Sequence, residues 1–236
     1  MAVIDFLIEG VGQRFRVRAP TFFRDLLQET LVGWSIQNQV RSEILEVEVV
    51  FRRNQITINS ILAQVTPIRT DLIEALNDFF LILSYLSAAK TRAQLLHCSS
   101  YVDETKGNVI LCGSKNAGKS TYVFSKAADA GAEILADDLL LWLPKIGRFI
   151  CLGFPLRMRR PVYGLHARDS LRDAFVAGQK IAYAKRGYFK TAPAGKKFTL
   201  DELQSFEAGA VRRVPLFSYP SMIQKHLVSA DFLRTK

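Results

Sequence analysis

Gly113-Ser114-Lys115-Asn116-Ala117-Gly118-Lys119-Ser120, with Thr121 directly behind it, decides how this chain is read. The stretch fits G-x-x-x-x-G-K-[ST], the phosphate-binding P-loop, and its flanks fit as well. Residues 108–112, Asn-Val-Ile-Leu-Cys, form a short apolar run that reads as a buried strand. Residues 119–129 read as a helix that Gly131 stops. In such a strand–loop–helix unit, two glycines let successive backbone N–H groups point inward at phosphate oxygens, and the helix adds its positive N-terminal end. The Lys119 ammonium is then the charge for the β- and γ-phosphates, and the Ser120 hydroxyl a ligand for Mg²⁺.

Upstream, residues 95–102 predict a strand and residues 103–107 a turn, so a β-hairpin runs straight into the loop rather than the usual βαβ entry. Downstream, residues 132–136 lead to Asp137-Asp138 at the C-terminal end of a strand. A carboxylate there can reach Mg²⁺ held by Ser120, and two adjacent carboxylates allow a division of labour between metal and proton. A second hairpin is expected from 139–143 and 148–152. A long surface loop that can include a short strand is expected over 178–197, a short helix over 201–208, a final strand over 213–219 and a tail over 229–236.

The first ninety residues carry no visible chemistry. Residues 3–9 and 14–18 alternate as a hairpin with one basic face, and Thr21 can cap a helix over 22–32. Residues 44–51 and 55–59 alternate as another hairpin turned at Arg52-Arg53-Asn54, and 71–90 read as a broadly apolar, buried helix. The stretch 33–42 is polar and uninformative. This gives an N-terminal α+β layer over 1–92 and a P-loop core over 93–236, which can pack as one unit.

Composition narrows the classes. Of 236 residues, 49% are hydrophobic and 23% charged, ordinary for a globular protein with a well-buried core. The net charge of +10 favours an anionic partner, nucleotide phosphates first. No nucleic-acid-binding signature and no signal peptide is visible, and the longest apolar stretch, around 79–89, is too short to span a membrane. Cys98, Cys112 and Cys151 have neither metal nor redox spacing, which fits a reducing cytoplasm. A homo-oligomer is compatible with everything above.

Taken in order, Leu96-His97-Cys98-Ser99-Ser100, the hairpin, the P-loop and Leu135-Ala136-Asp137-Asp138 resemble the catalytic core of HPr kinase/phosphorylase and its relatives. These share a nucleotide-binding core with phosphoenolpyruvate carboxykinase. The resemblance covers about residues 95–142 and implies an α/β fold with a mixed sheet, ATP and Mg²⁺ as cofactors, and γ-phosphoryl transfer to a hydroxyl. The acceptor it suggests is a serine of a small protein or of a ribosomal precursor peptide, as in lasso-peptide pathways. It maps the general base to Asp137 with His97 beside it, and the Mg²⁺ partner to Asp138 together with Ser120. Where the family carries a further signature, this chain has Gly153-Phe154-Pro155-Leu156-Arg157-Met158-Arg159-Arg160. Arg157 and Arg159 share a face if this is a strand and can grip a phosphoryl group or a peptide carboxylate. The alternative expectation is a nucleotide-binding regulatory or accessory protein without transfer. A GTPase is disfavoured, because no Asn-Lys-x-Asp motif is present.

Overall fold

The computed structural model describes residues 2–38, 44–61, 67–159, 173–207 and 209–228. It is a mixed α/β protein in which the described residues form four sheets and four α-helices. Alternating residues build the first sheet. β1 (Val3–Gly10) and β2 (Gln13–Pro20) pair as the expected hairpin, and α1 (Thr21–Thr30) follows directly. β3 (Ser35–Gln37) adds to the outer side of β1, while β4 (Leu45–Arg52) and β5 (Gln55–Ser60) extend the other side. Arg53 and Asn54 both take positive φ at the β4–β5 turn, the conformation that matches the twist of a two-residue hairpin.

Across this sheet lies α2 (Leu72–Thr91). Asp71 caps it, accepting from the N–H groups of Ile73 at 2.7 Å and Glu74 at 3.1 Å. α2 matches the helix expected over 71–90, but the expectation that its apolar stretch is too short to span a membrane is corrected: among the described residues it is the one helix long and apolar enough to cross one. Packing explains the apolarity, since 67% of that window is buried inside the protein. Thr21 does not cap α1: Pro20 holds the cap position and Thr21 is the first helical residue. Nor is 33–42 featureless, because β3 pairs with β1 there.

The second half continues with β6 (Gln94–His97), β7 (Ser99–Asp103), β8 (Gly107–Cys112), α3 (Lys119–Ala130), β9 (Ile134–Ala136), β10 (Leu139–Leu143) and β11 (Arg148–Ile150). Then come β12 (Arg157–Arg159), β13 (Phe175–Ala177), β14 (Ile181–Ala184), β15 (Lys197–Phe198), β16 (Glu202–Glu207), β17 (Ala210–Arg213) and α4 (Tyr219–Lys225). The P-loop strand β8 is the centre of a sheet ordered β17-β16-β8-β7-β9, in which β8 and β16 run parallel. A second sheet is ordered β15-β11-β10-β6, and a small third one β12-β14-β13. Ile110 and Cys112 of β8 face a core shared with the second sheet. Val109 faces the opposite core, under α3 and the small sheet.

Four expectations are corrected. The strand predicted over 95–102 breaks at Cys98, with β6 in one sheet and β7 in another. Residues 202–207 form a strand, not a helix. The run Glu-Leu-Gln-Ser-Phe-Glu hides its strand character because its buried positions include polar residues, which bond to one another and to Tyr101. Residues 213–219 are not a final strand; a short 3₁₀ turn at Leu216–Ser218 leads into α4. The short strand allowed for at 178–197 is β14, the middle strand of the small sheet, but the stretch is not all surface, since Ala182, Tyr183 and Ala184 are buried. The expected tail at 229–236 lies outside the described residues.

The expected division at residue 92 is not a gap in packing. The core under the first sheet continues through Leu95, Leu139, Leu141, Ile150, Leu152, Phe154 and Tyr183 of the second half. An aromatic column makes the join: Trp34 stacks on Phe154 at 6.5 Å, Phe154 on Phe80 at 4.8 Å, and Phe80 meets Tyr183 edge-on at 5.3 Å. The Trp34 indole N–H donates to the Leu152 carbonyl at 2.7 Å, which satisfies the only polar atom of that side chain.

Candidate functional site

Two connections change sheets at the same place. The chain leaves β6 at His97 and enters β7 at Ser99; it leaves β9 at Ala136 and enters β10 at Leu139. His97, Ser99, Asp137 and Asp138 are therefore gathered where the two sheets part, beside the start of α3. Asp138 has φ +77, a left-handed backbone that costs energy for a residue with a side chain. The Cys98 N–H holds it by donating to the Asp138 carbonyl at 3.2 Å.

The P-loop has the expected local form. Gly118 takes φ +106 at the N-terminus of α3, and Gly131 closes the helix in the left-handed region. Gly113 is required by space: a Cβ there would come within 2.5 Å of the Phe206 carbonyl oxygen on β16. Lys119 is 6% exposed and donates to the carbonyls of Gly113 and Ser114, each at 2.9 Å. Burial lowers its pKa, against the pull of the nearby Asp138. Lys115, Asn116, Ala117, Gly118, Lys119, Ser120 and Thr121 line a cavity of about 300 Å³, with Arg157 and Arg159 on its far side. Gly113 and Ser114 do not line it but hold Lys119. Arg160 lies outside the described residues.

The two carboxylates have different surroundings, and the pairing differs from the expected one. Asp137 is 4% exposed. Its Oδ1 accepts from Ser120 Oγ at 2.7 Å and Ser99 Oγ at 3.0 Å, and its Oδ2 from the Arg157 N–H at 2.8 Å. Burial raises its pKa, and the neighbouring Asp138 charge adds to that. Asp138 is a third exposed. His97 Nε2 lies 3.1 Å from its Oδ1, and an Arg157 guanidinium nitrogen 3.0 Å from its Oδ2. His97 thus accompanies Asp138, not Asp137, and Asp137, not Asp138, sits against Ser120. The sheet change explains this, because the register pairing His97 with Leu139 sets His97 next to the residue just before β10.

Ser120 Oγ and Asp137 Oδ1 are hard oxygen donors placed side by side, a set suited to Mg²⁺, which takes few protein ligands and fills its shell with phosphate oxygens and water. Among the described residues no group of three His, Cys, Asp or Glu side chains could hold a metal ion unaided. A divalent ion here would accordingly depend on phosphate oxygens for the rest of its shell. The three cysteines are buried and free. Burial pushes the Cys112 and Cys151 thiols up to about 12 and the Cys98 thiol well up, so they act as small hydrophobes.

Beyond the carboxylates a second cavity of about 260 Å³ opens, sharing His97, Lys115, Asp138 and Arg157 with the first. Its walls include Phe80, Leu81, Leu139, Phe154, Tyr183 and Val228. Sequence reasoning missed this cavity and its polar anchor, Asn77. The Asn77 side-chain oxygen accepts from Arg157 at 2.8 Å and from the Tyr183 hydroxyl at 3.0 Å. The available signal was weak: Asn77 stands beside Asp78 in the second turn of α2, where a polar pair reads as an ordinary solvated face. Arg157 is held by Asn77 and Asp138 together. Burial opposes its charge most strongly, but Asp138, Tyr183 and Asp137 together outweigh that and its pKa is raised. His226 also lines this cavity, and its carbonyl accepts from the His97 N–H at 2.9 Å.

No family model matches this chain, and no curated protein matches it either.

Proposed function

We propose that this protein is an HPr-kinase-like, Mg²⁺- and ATP-dependent phosphotransferase that passes a γ-phosphoryl group to a hydroxyl. One observation carries the reading. Asp138, with His97 and Arg157, stands where a cavity lined by the P-loop meets a second, apolar cavity. A phosphoryl donor and an alcohol could meet there, beside a carboxylate.

The roles follow from the contacts. Lys119 exchanges the loop carbonyls for the β- and γ-phosphates, and the P-loop N–H groups surround the phosphate oxygens. Ser120 and Asp137 hold Mg²⁺, which neutralises phosphate charge when bound. This reverses the sequence-derived assignment of the two aspartates. Asp138 accepts the proton of the incoming hydroxyl, and His97 orients its carboxylate. Arg157 and Arg159 face the transferring group from the far wall, where guanidinium charge stabilises the developing negative charge. Buried, free cysteines suit a reducing compartment, and we place the protein in the cytoplasm on that ground.

The test is an incubation of wild type and Asp138→Asn with γ-labelled ATP, Mg²⁺ and an extract of cellular small molecules and peptides, alongside MgATP binding by calorimetry. Both proteins should bind MgATP, and only the wild type should transfer label. MgATP binding with no transfer by the wild type would favour the second reading, a nucleotide-binding regulator. That reading draws on Lys119, which is already satisfied by the loop's own carbonyls.

A further inference from the structure

We infer that the apolar cavity beside Asp138 is the acceptor site, and that the acceptor is a small alcohol with a ring-sized apolar body rather than a serine of an extended peptide. The inference rests on the phosphotransferase reading and names its substrate class.

Size comes first. A cavity of roughly 150 Å³ lined by aliphatic and aromatic groups holds a benzene ring. About 260 Å³ therefore holds a ring with a short hydroxyl-bearing arm. The walls are fixed rather than adaptable. Phe80 is buried and clamped between Phe154 at 4.8 Å and Tyr183 at 5.3 Å, and Tyr183 is pinned through its hydroxyl to Asn77. Asp138, His97 and Arg157 line both cavities and so mark where the two meet, while Asn77, Lys225 and His226 add polar groups elsewhere on the wall. A molecule seated with its ring against Phe80, Phe154 and Leu81 can present its hydroxyl to Asp138 at that junction.

The closed sheet edge argues against a peptide. An extended peptide is commonly held by adding a strand to an exposed edge. One edge at the cavity is β6, which lines it through His97, and the chain itself already occupies that edge. Leu96 bridges antiparallel to Leu227, the His97 N–H donates to the His226 carbonyl at 2.9 Å, and the Val228 N–H donates to the Leu95 carbonyl at 2.8 Å. The segment that covers the edge also walls the cavity.

The transfer balances simply. The alcohol oxygen forms a bond to the γ-phosphorus and its proton passes to Asp138. The bond between that phosphorus and the β–γ bridging oxygen breaks, and ADP leaves with the electron pair. The products are a phosphate monoester and ADP.

The experiment incubates the protein with MgATP and three probes, benzyl alcohol, 2-phenylethanol and 3-phenylpropan-1-ol, and follows monoester formation by phosphorus NMR. A flexible serine-containing peptide serves as competitor, and MgATP binding is measured separately. Transfer to at least one probe is expected, with saturation. Leu81→Trp, which fills the cavity, should raise the alcohol KM at least tenfold, about 1.4 kcal/mol, with far less effect on the KM for MgATP. Val228→Trp makes the same test from the opposite wall should the first variant fail to fold. MgATP binding with no transfer to any probe overturns the acceptor class, as does transfer to the peptide alone or equal alcohol KM in both folded variants and wild type. Failure to bind MgATP overturns the phosphotransferase reading and this inference with it.

Discussion

The two cavities that meet at Asp138 are built in opposite ways. The P-loop cavity draws most of its lining from one unbroken stretch, Lys115 to Thr121, and on the proposed reading would work through backbone N–H groups and fixed charge. The apolar cavity is assembled from α2, the start of β10, the loop before β12, β14 and the segment after α4. Phosphate is the same anion in every nucleotide, so a short local motif suffices to hold it. An acceptor's body has an individual shape, and matching it takes side chains from distant parts of the chain. A P-loop motif therefore announces itself, while the neighbouring cavity does not.

That contrast can be broken most sharply at its local half. Lys119→Ala should reduce transfer on the order of a thousandfold and weaken MgATP binding in calorimetry, because one fixed charge on the phosphates is lost. The apolar cavity should keep its shape, so the melting temperature should change little. The converse variant is Phe80→Ala. It removes the central ring of the aromatic column and should destabilise the fold by about 3–5 kcal/mol in denaturant unfolding. In the surviving folded fraction, MgATP affinity should stay within a few-fold of wild type. If MgATP affinity instead falls with Phe80→Ala as far as with Lys119→Ala, the two cavities are not independent.

Asp137→Asn separates the two carboxylates. Asp137 touches Ser120, so the variant should need at least about tenfold more Mg²⁺ for half-maximal activity. Asp138→Asn should leave the Mg²⁺ requirement close to wild type and lower kcat. Equal Mg²⁺ curves for the two variants would restore the assignment first read from the sequence.

The smallest effect concerns His226, at the edge of the apolar cavity. Burial first, then the charges of His97, Lys119 and Lys225, hold its pKa below the ordinary histidine value. The unfolded chain therefore takes up this proton at higher pH than the folded one. The stability involved is fully present above about pH 6.5 and is lost as the pH falls through the folded pKa. His226→Gln should flatten that acid loss by a few degrees at most in thermal melts, on the scale expected for about 1 kcal/mol or less in a domain of this size. Parallel melting curves for variant and wild type between pH 7 and 5 would show that the histidine is equally solvated in both states.

Much of the fold was legible because its signals are local. The hairpins β1–β2 and β4–β5, the capped helix α2, the entry hairpin β7–β8 and the P-loop unit each follow from alternation, turn residues or a motif that neighbouring residues satisfy among themselves. β16 was not legible, because a buried strand carrying Glu202, Gln204 and Ser205 looks polar until their partners are known. The Asp137-Asp138 pair was visible as chemistry, but not which member does what.

The sequence by itself determined the P-loop motif, the alternating strands, the buried helices and the residue types at the site, since backbone geometry and side-chain period act over a few residues. Tertiary structure alone decided that Cys98 breaks a strand, that His97 meets Asp138 while Asp137 meets Ser120, and that Asn77, Tyr183 and Val228 share one cavity. Each of those facts depends on where a chain crosses from one sheet to another, and a crossing is fixed by the packing of both sheets at once.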